Sequence, residues 1–325
     1  MRKNEQGFVS IVVTLIIMII LSLVTLGFAR LMSREQEQAL DRQLSSQAFY
    51  AAETGVNNAR EQLASNPSYT VTTCTPDDID TRGPVRNTCT TVSPIVTSLE
   101  YKPVSTDQNS PKIITLRGVD SGGSPAAIGT LNIRWNAAPG NAGASAFRTN
   151  NELTPQGSWN TRTGMLKVVL IPFVNGDSRA SLSNRTMTLF LIPRASGGTS
   201  SVAFGTYAGN ESNALLGVTC NAGTGFCTLS VTGIPAYSEF RAVITSLYQN
   251  NEVLLTSPVI YGFRDEQAIV DATGKAGELL RRVQVRVPLN NSGGDLVGNA
   301  VQVSNTICKK LFVNETSTAD SVCGL

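Results

Sequence analysis

An α+β fold is predicted: one long N-terminal helix, membrane-spanning in its first half, then a large antiparallel β-rich head with length enough for two β modules. Three observations carry this. Phe8 to Ala29 is one apolar run with no acidic or basic side chain. From Arg30 to Ser65 there is no proline and one glycine, Gly55, while apolar residues recur every three or four positions. After Pro67 the composition turns to Thr, Ser, Asn, Gly and Pro, and short strand-like runs replace the helical period.

Residues 1–7, MRKNEQG, form a short polar stretch ahead of the apolar run. As a helix, the run at 8–29 spans roughly 33 Å, enough for a hydrocarbon core of about 30 Å. In lipid each backbone N–H and C=O must be satisfied within the segment, which requires a helix. A secretory signal peptide has a shorter apolar region, about 7–15 residues, and ends in a small-residue cleavage site. This run exits instead into Ala29-Arg30-Leu31-Met32, with no A-x-A triplet. An uncleaved single-pass anchor is the expectation.

The helix is expected to continue through 30–65. Leu40, Leu44, Ala48, Ala52, Val56, Ala59 and Leu63 fall on one helical face, with Arg34, Glu35, Glu37, Asp41, Arg42, Arg60 and Glu61 on the polar remainder. The whole rod from Phe8 would measure roughly 85 Å. Asn66-Pro67 ends it, since proline disfavours helical geometry in the residue before it.

The head is expected over 66–325. Its clearest strand-like runs are Lys112–Arg117, Thr130–Trp135, Met165–Phe173, Thr186–Ile192, Phe226–Val231, Phe240–Tyr248, Val253–Leu255, Val259–Phe263, Ala268–Asp271 and Leu280–Val287. Val283, Val285 and Val287 alternate with Arg282, Gln284 and Arg286, as in a strand with one buried and one wetted face. Many short strands between turn residues argue for antiparallel sheets in a sandwich or meander. The best candidate for a sub-boundary is the small-residue stretch at 137–144, and Ala195–Ser201 is a second loose stretch. The spacing of these runs does not specify strand order.

All six cysteines follow the apolar run, which places the head outside the reducing cytoplasm. They fall into close pairs: Cys74 with Cys89, Cys220 with Cys227, Cys308 with Cys323. Six cysteines permit about 15 connectivities, and local pairing across turn-rich loops is the simplest. A zinc site is disfavoured by the absence of histidine and of any C-x-x-C pair.

The lack of histidine also removes Ser-His-Asp and Cys-His nucleophiles and a histidine general base. No catalytic residue, metal ligand or cofactor is expected. Asp77-Asp78-Ile79-Asp80 is too short and misspaced for an EF-hand, and Asp265-Glu266 reads as a solvated turn pair. Of 26 basic and 24 acidic residues, Arg2, Lys3 and Glu5 precede the apolar run, leaving 24 and 23, a balance that does not mark a nucleic-acid binder. Arg281, Arg282 and Arg286 read as the wet face of a strand, and Lys309-Lys310 as a loop flank, in preference to a DNA contact. Arg30 and Arg34 balance Arg2 and Lys3, so charge counting does not orient the helix.

Gln6-Gly7-Phe8 sets a small residue and an aromatic at the border of the apolar run, and Ala48-Phe49-Tyr50-Ala51-Ala52-Glu53-Thr54-Gly55 follows an A-x-x-A-A-E-x-G pattern. Together these resemble the N-terminal segment of type IV pilins and pseudopilins, PilX-type minor pilins in particular. The resemblance implies cleavage after Gly7 by prepilin peptidase and a methylated Phe8 as the first mature residue. It implies assembly with other pilin subunits and an N-terminus in the cytoplasm with the head outside. Major pilins carry glutamate at the fifth mature position, where this chain has Val12. Some PilX-type minor pilins and K-type pseudopilins lack it too, so a minor subunit is implied. Cys308 and Cys323 resemble the disulfide-bounded C-terminal loop of pilins, and residues 268–287 resemble, more loosely, the closing strands of pilin-like proteins with a large β head. The expected function is that of a structural minor pilin or pseudopilin and not an enzyme. A stationary membrane-anchored surface binding protein is the alternative.

Overall fold

The computed structural model describes residues 6–75, 83–102, 111–137, 147, 163–173, 176–206, 213–221, 224–236 and 239–289. In chain order the elements are α1 (Gln6–Ser65), β1 (Val71–Thr75), β2 (Val85–Val96), β3 (Ser98–Tyr101), β4 (Lys112–Val119), β5 (Gly129–Ala137) and β6 (Met165–Phe173). There follow α2 (Arg179–Arg185), β7 (Met187–Arg194), β8 (Ser201–Ala203), β9 (Asn213–Thr219), β10 (Cys227–Ile234), β11 (Glu239–Leu247), β12 (Asn251–Thr256), β13 (Gly262–Ala276) and β14 (Leu279–Pro288). The chain is α+β, and its residues group into two units: Met1–Ser93 with Ile269–Arg286, and Pro94–Ala268 with Val287–Leu325.

In the first unit α1 runs unbroken to Ser65, where the pattern ending at Asn66-Pro67 placed its stop. Asn66 N–H still bonds the Gln62 carbonyl (2.8 Å), and its side chain then accepts the Ser68 N–H (3.1 Å), turning the chain away. β1 lies antiparallel on β2 with Val71 opposite Val92, and β13 carries both β2 and β14. The Thr88 hydroxyl donates to the Thr273 carbonyl at 3.0 Å.

The helical stripe is buried at Ala48, Ala51, Ala52, Val56, Ala59 and Leu63, with Leu44 half-buried. Leu40, expected on the same face, is 55% exposed. The cause is where the sheet stops. The β13–β14 turn at Gly277 lies against Leu44, and among the described residues no strand reaches one turn below to cover a side chain.

In the second unit one sheet runs β13-β4-β11-β6-β7-β9, with Gly262–Arg264 of β13 pairing β4, and the other runs β3-β12-β5-β10-β8. Pairing is antiparallel except for β7 with β9 and β8 with β10. Alternate residues of each sheet are buried: Leu99, Leu131, Ile133, Trp135, Leu229, Val253 and Leu255 on one, Ile114, Leu116, Leu166, Val168, Leu170, Leu189 and Phe240 on the other. Trp135 Nε1–H donates to the Gly164 carbonyl at 3.2 Å, so the largest buried side chain among the described residues is also polar-satisfied.

Three expectations are corrected. The run at Val259–Phe263 is strand only from Gly262; Ser257 Oγ donates to the Ile128 carbonyl (3.0 Å) and accepts the Val259 N–H (3.3 Å), a local bend that competes with pairing. The runs at Ala268–Asp271 and around Phe263 belong to one 15-residue strand, β13. Glu266, read as a solvated turn residue, is 4% exposed. It accepts the Tyr101 hydroxyl and the Thr115 N–H, both at 3.0 Å, while Asp265 takes a positive φ of 69° and pairs with Arg117 at 2.8 Å. The 137–144 sub-boundary lies almost wholly outside the described residues; Ala137 itself ends β5.

Candidate functional site

The chemistry-bearing element is α1, and its two halves are built differently. From Val12 to Met32 the large apolar side chains stand exposed, among them Met18, Leu23, Phe28 and Leu31. α1 is the one helix among the described residues long and apolar enough to cross a membrane. Its hydroxyls are satisfied within the helix: Ser22 donates to the Met18 carbonyl (2.8 Å), Thr25 to Leu21 (3.0 Å) and Ser33 to Ala29 (3.0 Å). Such back-bonding removes the cost of carrying a hydroxyl into hydrocarbon. Gly7 and Phe8 lie in the first turn of α1. Val12 is exposed and apolar, with no carboxylate on the helix before Glu35.

The upper half is a close-packing device. Ala48, Ala51 and Ala52 put the helix backbone against Gly274 of β13, where a Cβ would fall on the Ala48 carbonyl oxygen and the Ala52 nitrogen. Gly55 meets the buried Asn87 of β2; an added methyl there would strike the Asn87 amide, which donates to Thr90 Oγ1 at 2.7 Å. The small residues of the A-x-x-A-A-E-x-G stretch are therefore those that face the sheet. Phe49, Tyr50 and Glu53 face away and are exposed.

That division, an exposed apolar half and a small-residue half packed on a sheet, agrees with what sequence comparison finds. Residues 6–57 match the family model described as PilX N-terminal. Over that segment the chain is similar to PilX N-terminal domains. The match takes in the apolar half of α1 and the whole small-residue stretch through Gly55, and it ends before the head. No curated protein and no solved structure matches the chain.

The other sequence-predicted residues fall as follows. Cys74 is bonded to Cys89 across β1 and β2, with Cα atoms 4.8 Å apart, and Cys220 to Cys227, at 4.0 Å. Cys308, Cys323, Lys309 and Lys310 lie outside the described residues. Arg281, Arg282 and Arg286 share β14 but do not converge. Arg281 Nε donates to Ser45 Oγ of α1 at 2.9 Å; Arg282 forks onto Asp271 of β13, with Nε 2.7 and 2.9 Å from its two oxygens. The Asp271 hydrogen bonds and charge raise the Arg282 pKa further above its ordinary value. Among the described residues no three His, Cys, Asp or Glu side chains gather as a metal site.

Proposed function

We propose that this chain is a minor pilin or pseudopilin, inserted by α1 into a type IV pilus or related secretion filament. The observation that carries it is the division of α1: one unbroken helix, apolar and exposed from Val12 to Met32, then locked by Ala48, Ala52 and Gly55 onto its own sheet. The exposed half serves first as a single-pass membrane anchor at 8–29 and then as the surface packed among neighbouring subunits. The packed half, within 30–65, presents the β head outside the membrane. On this reading residues 1–7 are a leader removed by prepilin peptidase after Gly7, and Phe8 becomes the methylated N-terminus. The PilX N-terminal match supports the pilin reading, and the disulfides suit a head outside the cytoplasm.

The minor role rests on Val12. An uncompensated charge in a bilayer is costly, so a carboxylate there can steer a neighbour's N-terminal amine into place. Val12 provides no such steering, and a subunit lacking it enters filaments less readily than one that has it. Quantitative mass spectrometry of sheared, purified filaments tests this. The chain is expected as a small fraction of total pilin, and its detection as the dominant subunit would refute the minor role. Its absence from filaments, with full retention in the membrane, would favour a stationary anchored surface protein.

A further inference from the structure

The outward face of the β3-β12-β5-β10-β8 sheet, within the second unit, carries a groove. Register places Glu100, Leu254, Arg134 and Thr228 in one row across four strands, with Glu252 and Asn136 opposite each other in the next. A groove of about 270 Å³ opens here, lined by Glu100, Lys102, Arg134, Phe226, Glu252 and Leu254. The Arg134 guanidinium stands 3.6 Å from the centre of the Phe226 ring. Stacking holds that plane in place but uses none of its N–H donors. Among the described residues no hydrogen bond or ion pair engages the Arg134 guanidinium or the Glu252 carboxylate, although both line the same groove.

We propose that this groove binds a neutral hexose unit of a glycan. The charges that line it balance, Glu100 and Glu252 against Lys102 and Arg134, so a polyanion or polycation would gain from one pair and be repelled by the other. A sugar hydroxyl both donates and accepts, which matches an acceptor at Glu252 and donors at Arg134 and Lys102 in one groove, Lys102 standing 4.0 Å from Glu100. The apolar C–H face of the ring is met by Leu254 and the Phe226 edge. The volume lies just under the ~300–1,000 Å³ typical of drug-sized ligands, as suits a single ring. An added peptide strand does not fit the neighbouring sheet edge. The Gln267 side chain already closes β3 there, accepting the Glu100 N–H (3.1 Å) and donating to the Glu100 carbonyl (2.7 Å).

The groove lies within the second unit and does not depend on the filament reading, so failure of either leaves the other standing. The test uses the full chain in a zwitterionic detergent without a sugar headgroup. Saturation-transfer NMR is run with glucose, galactose, mannose and N-acetylglucosamine, and with a sialylated and a sulfated sugar. At least one neutral hexose is expected to bind, weakened roughly tenfold or more in Arg134→Leu and in Glu252→Gln, because a charge-assisted hydrogen bond is lost. The melting temperature is expected to hold; if Arg134→Leu does not fold, Glu252→Gln alone decides. No neutral hexose binding at millimolar concentration, binding confined to the acidic sugars, or equal binding by wild type and folded variant would each overturn the proposal.

Discussion

Replacing Gly274 by alanine is the sharpest perturbation of the α1 packing. The added methyl points at the helix, where its nearest neighbours would be the Ala48 carbonyl oxygen, the Ala52 nitrogen and, at 2.9 Å, the Ala51 Cβ. None of these can rotate aside, since two are helix backbone and the third is the first atom of its side chain. Overpacking in cores costs typically 1–3 kcal/mol when neighbours can adjust, so about 3 kcal/mol or more is expected here, where α1 must lift off β13. At 1.4 kcal/mol per tenfold, that raises the local opening equilibrium by roughly 100-fold. Hydrogen–deuterium exchange reads it directly: peptides covering Leu44–Leu63 should lose protection, while Met165–Phe173 in the second unit should not. Gly27→Ala is the control, because nothing lies within 4 Å of its added methyl. Unchanged exchange at Leu44–Leu63 in Gly274→Ala would refute the close-packing account of the small-residue stretch.

Two further outcomes follow from the buried polar groups and the disulfides. Burial first, then the charge and hydrogen bond of Glu266, push the Tyr101 pKa well above its ordinary value near ~10. The folded state therefore keeps a proton that the unfolded chain releases above about pH 10, and this contribution to stability is present below that pH and lost above it. Denaturant titrations should show wild type losing up to about 1.4 kcal/mol per pH unit more than Tyr101→Phe across that range, and equal slopes would contradict it. Cys74 and Cys89 lie 15 residues apart, and joining them contributes about 3 kcal/mol in the chain-entropy treatment. The Cys74→Ser/Cys89→Ser double variant should lower the first unit's stability by about that amount, with Met165–Phe173 protection unchanged as the check.

The helix was legible because its signals are local. A proline-free stretch, a three-to-four spacing and a terminal Asn66-Pro67 placed its end, and Met165–Phe173 was bounded as an apolar run broken only by Lys167. What escaped depends on partners distant in the chain. Leu40 has the right spacing, but its exposure is decided by where the β13–β14 turn ends. Glu266 looks like a surface acid until Tyr101 and Thr115, from β3 and β4, are seen to donate to it. α2 went unread because seven residues beginning after the Ser178 cap are too short for a hydrophobic period to emerge. β2 was missed because its threonines, Asn87 and Pro94 carry no clear alternation, and β9 because Ala214-Leu215-Leu216 also suits a helix. Arg134 and Phe226 stand 92 positions apart, and only the register of β5 with β10 brings them together.

The central claim is that α1 is a processed pilin helix, and the mature N-terminus tests it most directly. Intact-mass and N-terminal peptide mass spectrometry of protein isolated from its native membrane should find a chain beginning at N-methylated Phe8. Replacing Gly7 by a bulky residue should leave the uncut chain in the membrane. A chain that retains Met1 in the presence of an active prepilin peptidase, or one cut near Ala29, would contradict the account.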